Sequence, residues 1–376
     1  MVLRLIELSN ATRDVKRFLK VAYWVYGEDP CWVAPMLMDI KTVLSPRNPF
    51  FQNAELKLWV VVRDGLDVGR IAGIIDRTYH QIHHEDVAFF GFFEVADDPE
   101  ASRLLFDALF TWARQQKMTR ILGPINPSTN GECGVLVDGF DKPPVLMMPY
   151  NPRYYPGLIS AAGFEATMDL LAYWVDLSVN PHRRLNRIAP RFGRTKPSFV
   201  IRRMTRKTLN TDLVKIREIY NDAWDKNWGF VPISNAEAKF MAERLKPFVT
   251  EGMALMAETV GEPAAFLLAV LDYNQAFQPL KGRFFSWKLP HFLLYLFGRK
   301  KPDIARIMLL GVKKKFRRLG LESVMLAEAL KFCLEAGHLA IEVSWILENN
   351  LPIQSLIKIF GGQIYKTYRI YTRPLQ

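Results

Sequence analysis

Cysteine is scarce in this chain of 376 residues: Cys31, Cys133 and Cys333 are the only three, and they lie far apart. That excludes a disulfide scaffold and a zinc framework of paired cysteines, and it points to a reducing compartment, the cytoplasm being the simplest. No metal is expected. Long apolar runs are also missing. The longest, such as Ala264 to Leu271 and Phe292 to Phe297, fall well short of the roughly 20 residues a bilayer demands. The opening Leu3 to Leu8 has strand character and lacks the charged-then-apolar layout of a signal peptide. Acid is outnumbered by base, 38 to 50, which leaves a net charge of +12 and a surface that attracts anions such as phosphates, nucleic acid or acidic headgroups.

What is present is enough apolar residue, 49%, for a globular chain, and more length than one core supports, so two domains are expected. Between Leu177 and Thr211 stand ten Lys or Arg and no acid, punctuated by Pro181, Pro190, Gly193 and Pro197. This sets a boundary: a first domain over 1–178, a basic linker over 179–198 and a second domain over 199–376. The order of elements repeats across it. In the first half a strand from Leu3 to Leu8 leads to a helix from Thr12, a hairpin about Asp64-Gly65, a strand from Val87 to Val95 and a helix opened by Pro99. In the second half a strand from Phe199 to Met204 leads to a helix from Asp212, a helix from Asn235 and a hairpin about Gly261-Glu262. A strand from Ile304 to Val312 follows, then a helix from Leu321 stopped by Gly337.

The informative junction is strand, basic loop, helix: Val312, then Lys313-Lys314-Lys315-Phe316-Arg317-Arg318-Leu319-Gly320, then Leu321 and Glu322. The first N–H groups of a helix have no partner within it, so they suit a pyrophosphate. Gly320 lets the backbone approach a phosphate, and Arg317 and Arg318 add charge.

In these residues the chain resembles the GNAT superfamily, whose acyl-CoA loop reads Arg/Gln-x-x-Gly-x-Gly/Ala. Arg317-x-x-Gly320 fits, whereas Glu322 puts a carboxylate where the family has a small residue. Asn350, followed by a helix, Gly361 and the aromatic strand of Tyr365, Tyr368 and Tyr371, is similar to the family's later pattern, in which that Asn contacts the pantetheine arm. As a helix cap it would need no ligand. The resemblance implies two tandem α+β domains, each a mixed, mostly antiparallel sheet flanked by helices, with acetyl-CoA or another acyl-CoA as donor. It places Val312, Arg317, Arg318, Leu319, Gly320, Leu321 and Asn350 at the cofactor. The first half shows only the skeleton, because Ala96-Asp97-Asp98-Pro99-Glu100 is acidic and lacks glycine where the loop would be.

Acyl transfer to an amine needs a base, an oxyanion donor and an acid for the leaving thiolate. The resemblance puts these at the splay between the fourth and fifth strands of the domain. Glu342, Asp272 and Glu348 are the candidate bases. The family's frequent Tyr, seven residues past the Asn, is Ile357 here, which leaves Tyr368 or Tyr365 as acid. Trp224, Asn227 and Trp228, with Asn274, are candidates for an acceptor pocket of apolar walls and few polar groups. The carboxylates are more often surface or salt-bridging groups, the tyrosines more often core or interface, and the aromatic loop is equally readable as a core-facing helix end. The segment from Phe284 to Lys301, aromatic and framed by cations, suits contact with a membrane surface or lipid, or a lid or a dimer face. The expected function is N-acylation of a small or peptide-like acceptor from acyl-CoA. A Fem-like transferase using aminoacyl-tRNA and a non-catalytic lipid- or ligand-binding protein remain open beside it.

Overall fold

The computed structural model describes residues 2–27, 29–179, 199–205, 207–249, 252–282 and 288–375. They form two compact units, one of Met1–Leu170 with Lys281–Arg283 and Lys366–Gln376, the other of Leu171–Leu280 with Phe284–Tyr365. A division at 178 therefore misses two strand ends. Residues 171–178 count with the second unit, and the chain's last strand ends in the first. Residues 180–198 of the expected linker lie outside the described residues.

The first unit opens with β1 (Leu3–Leu8), α1 (Thr12–Tyr26) and α2 (Leu37–Val43), followed by β2 (Ala54–Arg63), β3 (Leu66–Asp76) and α3 (Arg77–His83). Next come β4 (Val87–Val95), α4 (Pro99–Gln115), β5 (Arg120–Gly123), β6 (Ile125–Asn126), β7 (Glu132–Cys133), β8 (Val135–Asp138), α5 (Tyr155–Ala161) and β9 (Glu165–Asp176). Its strands run β1-β2-β3-β4-β5, and then comes the final strand of the chain, β15 (Gln363–Pro374), antiparallel to β5 from Tyr371↔Gly123 to Pro374↔Arg120. β4 and β5 are parallel; the other pairs along this order are antiparallel. Asp64 and Gly65 both have positive φ, the conformation a two-residue hairpin turn needs.

In the second unit β10 (Val200–Arg203), α6 (Leu209–Ala223), α7 (Asn235–Leu245), β11 (Ala254–Thr259) and β12 (Glu262–Leu271) come first. They are followed by α8 (Asn274–Phe277), α9 (Leu289–Leu296), β13 (Ile304–Val312), α10 (Leu321–Glu335), β14 (Ala340–Leu347) and α11 (Leu351–Ile359). Strand order is β9-β14-β13-β12-β11-β10. The period-2 alternation of strands sorts the core into two layers. Leu255, Ala257, Leu267 and Ala269 face Leu321, Met325 and Leu330 of α10. Met256 and Phe266, between them in sequence, face Ile219 and Ala223 of α6.

The hairpin of this unit turns at Val260-Gly261, one residue before the expected Gly261-Glu262. Val260 is fully exposed at φ 47°, a conformation that costs a branched side chain about 1–2 kcal/mol. Val260→Asn, which suits that turn, is expected to stabilise the protein by about 1 kcal/mol, read as a higher urea midpoint at unchanged slope. An unchanged midpoint would show that the turn is not strained.

α6 is tied to the sheet by charge. Arg202 of β10 bonds both Asp212 of α6 and Glu258 of β11, and Lys215 of α6 reaches Glu258 as well. Hydrogen bonds from Arg202 first, and then Lys215, hold the Glu258 carboxyl at about 2, below its ordinary 4.5. A depressed acid stabilises the fold above its unfolded pKa and loses that contribution as pH falls through the folded value. Stability attributable to Glu258 is thus complete above about pH 5 and gone near pH 2. Glu258→Gln should flatten the acid limb of the stability curve in that window. An unaltered limb would assign the acid sensitivity elsewhere.

Candidate active site

β13 and β14 pair in parallel over only four positions, from Ile304↔Ala340 to Ile307↔Val343. The register of β13 against β12 then steps over Met308, a bulge that bends the strand. Beyond Ile307, among the described residues, no strand pairs with that edge of β13, while its other edge stays on β12 through Leu309, Leu310, Gly311 and Val312. The two strands part there and leave a row of backbone amides open.

At the mouth of this splay lies a buried polar cluster. Glu342 is fully buried and stands in register with Arg306, Nε to Oε1 3.9 Å. Arg306 Nε donates to Ser344 Oγ at 3.2 Å, and Ser344 Oγ donates to Glu342 Oε1. Tyr365, half-buried at the start of β15, donates its phenol to Glu342 Oε2. Trp174 packs against Tyr365, ring centroids 5.3 Å apart, and Arg306 lies over the Trp345 ring. Of the candidate bases, Glu342 is thus held between a cation and a phenol. Arg306 and Ser344 were missed by sequence reasoning. Their signal was a charge of each sign within otherwise apolar strands, Ile304–Val312 and Ala340–Leu347.

At the far end of β13 the lysines of the loop are spoken for. Lys313 pairs with Glu218 and Glu262, Lys314 with Asp225, and Lys315 with Glu262, while Asp222 accepts the Lys314 N–H at 2.6 Å. These bonds pin the loop to α6 and to the β11–β12 hairpin. Arg317 donates to the Ala223 carbonyl at the end of α6. Arg318 is exposed and makes no hydrogen bond or ion pair among the described residues. Gly320 stands at the N-cap of α10 with φ 81° and no side-chain cap, and a Cβ placed on it would meet nothing within 4 Å. Val312 and Leu321 are buried beneath the loop, and Leu319 is half-buried on the same cluster. An uncapped helix start with open space before it and two arginines beside it has the chemistry of an anion site. Glu322, in the first turn, is half-buried.

The first unit fills both equivalent places with its own groups. At the start of α4, Asp98 accepts the Ala101 N–H at 3.0 Å, Pro99 removes a donor, and Arg63 binds the Asp98 carboxylate. Its β4 also steps in register, at Phe92, but there the backbone is occupied. Asn126 Oδ1 accepts the Phe92 N–H at 2.6 Å, Tyr155 the Val95 N–H at 2.9 Å, and Tyr154 donates to the Val95 carbonyl at 2.9 Å. Asn151 is likewise spent on the backbone of Leu136 and Pro152. Cys133 in the long loop is buried, and burial pushes its thiol up to about 12, so it is no nucleophile near neutral pH.

The remaining candidates are spread through the structure. Asp272 is buried at the end of β12, beside Ile304 and so at the paired end of β13, where its carboxylate accepts the N–H of Asn274, the half-buried first residue of α8. Glu348 is exposed just past β14. Asn350 takes the N-cap position of α11 without a side-chain cap bond, so capping does not consume its amide. Tyr368 is fully buried in the first unit, opposite Leu136. Trp224 packs on Tyr220 and Phe266 in the layer beneath α6. Asn227 and Trp228 are half-buried in the turn after that helix, and Asn227 shapes the turn through its backbone. Among the described residues no group of three or more His, Cys, Asp or Glu could hold a metal ion, and no helix is long and apolar enough to cross a membrane.

Two units in tandem, each with a parallel pair of strands beside a bulge, define a tandem GNAT fold. A tandem GNAT protein of the clavulanic acid biosynthesis pathway matches it with a TM-score of 0.59 at 15% identity, over 100% of this chain and 99% of that one. A GCN5-related N-acetyltransferase from Sphaerobacter thermophilus matches at 0.53 and 12% identity, over 99% and 96%. In sequence the chain is 34% identical over 374 residues to the bacterial ceramide synthase of Caulobacter vibrioides, covering 96% of this chain and 95% of that protein. It is 32% identical over 369 residues to protein YghO of Escherichia coli, covering 96% and 93%. The chain belongs to the family of these two proteins. No protein-family model matches it.

Proposed function

We propose that this protein transfers an acyl group from acyl-coenzyme A to the amine of a long-chain base, forming a ceramide-type amide, with the donor held by the second unit. One observation carries the division of labour: the splayed edge of β13 and the uncapped start of α10 are open, whereas β4 and α4 are closed by Tyr154, Tyr155, Asn126 and Asp98. The pantetheine arm of coenzyme A, an extended chain with two amides, suits a strand edge, with Asn350 beside it. Its pyrophosphate suits Gly320, Leu319 and the guanidinium groups of Arg317 and Arg318. The ceramide synthase name of the Caulobacter relative supports a long-chain amine as acceptor.

In this reading the neutral amine attacks the thioester carbonyl, a C–N bond forms, the C–S bond breaks and the thiolate leaves. Glu342 is sealed from solvent, so the amine proton reaches it through the phenol of Tyr365, which is half-exposed and already hydrogen-bonded to it. Arg306 holds the carboxylate in place through Ser344. Asp272 and Glu348 are the lesser alternatives for the base, and Trp228 and Asn227 for the acceptor wall. The test is incubation of the purified chain with palmitoyl-CoA and a long-chain 2-amino-1,3-diol, with the amide read by mass spectrometry and free thiol by a colorimetric reagent. Equal amounts of amide and thiol are expected. Absence of amide with every acyl-CoA from acetyl to palmitoyl would overturn the reading.

A further inference from the structure

The segment between β12 and β13 carries a helix that its own packing does not explain. α9 presents two apolar faces. One faces inward: Phe292 stacks on Phe277, ring centroids 5.7 Å apart, and Tyr295 is buried. The other is the stripe Pro290, Leu293, Leu294 and Phe297, spaced i, i+3, i+4, i+7 and therefore along one side of the helix. Leu293 is half-buried there, Leu294 is 39% exposed and Phe297 is 71% exposed. A surface helix ordinarily keeps its outer face polar, and one that is apolar on both sides needs an apolar environment on the second.

Charge says which environment. From Lys288 to Pro302 there are four cations, Lys288, Arg299, Lys300 and Lys301, and no acid. The helix ends at Gly298, φ 67°, and the chain folds back so that the Lys300 N–H donates to the Leu294 carbonyl at 2.9 Å. Exposed Arg299, Lys300 and Lys301 thereby follow directly on Leu294 and Phe297, with the Lys300 ammonium 5.2 Å over the Tyr295 ring. Cations at a helix C-terminus complement its dipole, but that does not account for the apolar stripe next to them. An apolar wedge ringed by cations is complementary to an anionic bilayer, whose acyl boundary takes the wedge and whose headgroups take the charge.

We propose that α9 and the turn after it dock this protein onto an anionic lipid surface. The inference rests on these residues alone and holds whatever the acyl acceptor is. It is tested on the full chain, without substrates, by co-sedimentation with vesicles of phosphatidylcholine alone and of phosphatidylcholine with phosphatidylglycerol. Binding to the anionic vesicles that weakens with salt is expected. Leu294→Ser with Phe297→Ser should lower partitioning roughly tenfold or more. Arg299→Gln, Lys300→Gln and Lys301→Gln together should lower it on the order of 100-fold at low salt. Both variants alter exposed residues, so an unchanged melting temperature confirms that they fold. The proposal is overturned if the parent does not bind anionic vesicles or if the serine pair binds as well as the parent. It is overturned equally if the parent is a dimer in light scattering that the serine pair dissociates, since the stripe would then be covered by a second copy.

Discussion

Glu342→Leu and Arg306→Met, made singly, should each cost about 3 kcal/mol or more of stability, while the two together cost far less than their sum. Each single change strands a buried charge whose partner has gone, and that desolvation cost is not recovered. Removing both charges at once leaves two apolar side chains of similar size between β13 and β14, an exchange that is often neutral in other proteins. Urea unfolding of the four proteins, followed by tryptophan fluorescence, gives the coupling directly. Additive losses would show that the two residues, 3.9 Å apart at their nearest charged atoms, do not act as a pair. Activity should behave differently. Glu342→Gln, which keeps the shape, and Tyr365→Phe, which removes only the phenol, should each lower turnover by about 10²–10⁴ if the proton leaves through them. The stable double variant should be as inactive as the singles. Full turnover in Tyr365→Phe would exclude the phenol from the proton path.

The other large effect is expected at Gly320. Valine there faces a left-handed backbone costing about 1–2 kcal/mol, and its side chain would project into space that no protein atom occupies. Gly320→Val should weaken coenzyme A binding by more than about tenfold, and Gly320→Ala by less, since only the bulk differs between two residues that share the backbone penalty. Glu322 supplies the counter-test. A unit charge about 4 Å from a phosphate costs roughly 1 kcal/mol in water and about 4 at an effective dielectric near 20. Glu322→Gln should therefore tighten binding several-fold. Calorimetric titration of all four proteins at one salt concentration decides the matter. A Gly320→Val protein that binds like the parent means that the loop is not where the pyrophosphate sits, and a weaker Glu322→Gln means that the carboxylate orders Arg317 or Arg318 instead of opposing the ligand.

What was legible in the residues was local. Pro99 opening α4, Gly337 closing α10, Asp64-Gly65 turning a hairpin and the basic loop before Leu321 each act within a few residues, and each stands where its chemistry put it. Glu342 could be named because an acid in an apolar strand is conspicuous. Its partners could not, since Arg306 lies 36 positions away and meets it only through the register of two parallel strands, which no periodicity reveals. Tyr365 and Tyr368 illustrate the same limit. Three apart on one strand, they point to opposite faces, and only the structure shows that Tyr365 reaches Glu342 while Tyr368 is buried in the first unit. The two exchanged strand ends were invisible for a related reason, because a repeat of elements fixes their order and not which core each strand end joins.

That exchange has a consequence in the order of synthesis. Translation delivers a chain from its N-terminus at about 5–20 residues per second, and domains generally fold as they emerge. The first unit cannot follow that rule to its end, because Tyr371 to Pro374, which pair with β5, are made only after the whole of the second unit. Until then the free edge of β5 and the aromatic core around Phe90, Phe106 and Phe164 await residues that follow the second unit. The older half thus stays unfinished while the second unit is made, and a stop codon that spared every residue of the second unit would still leave the first one open.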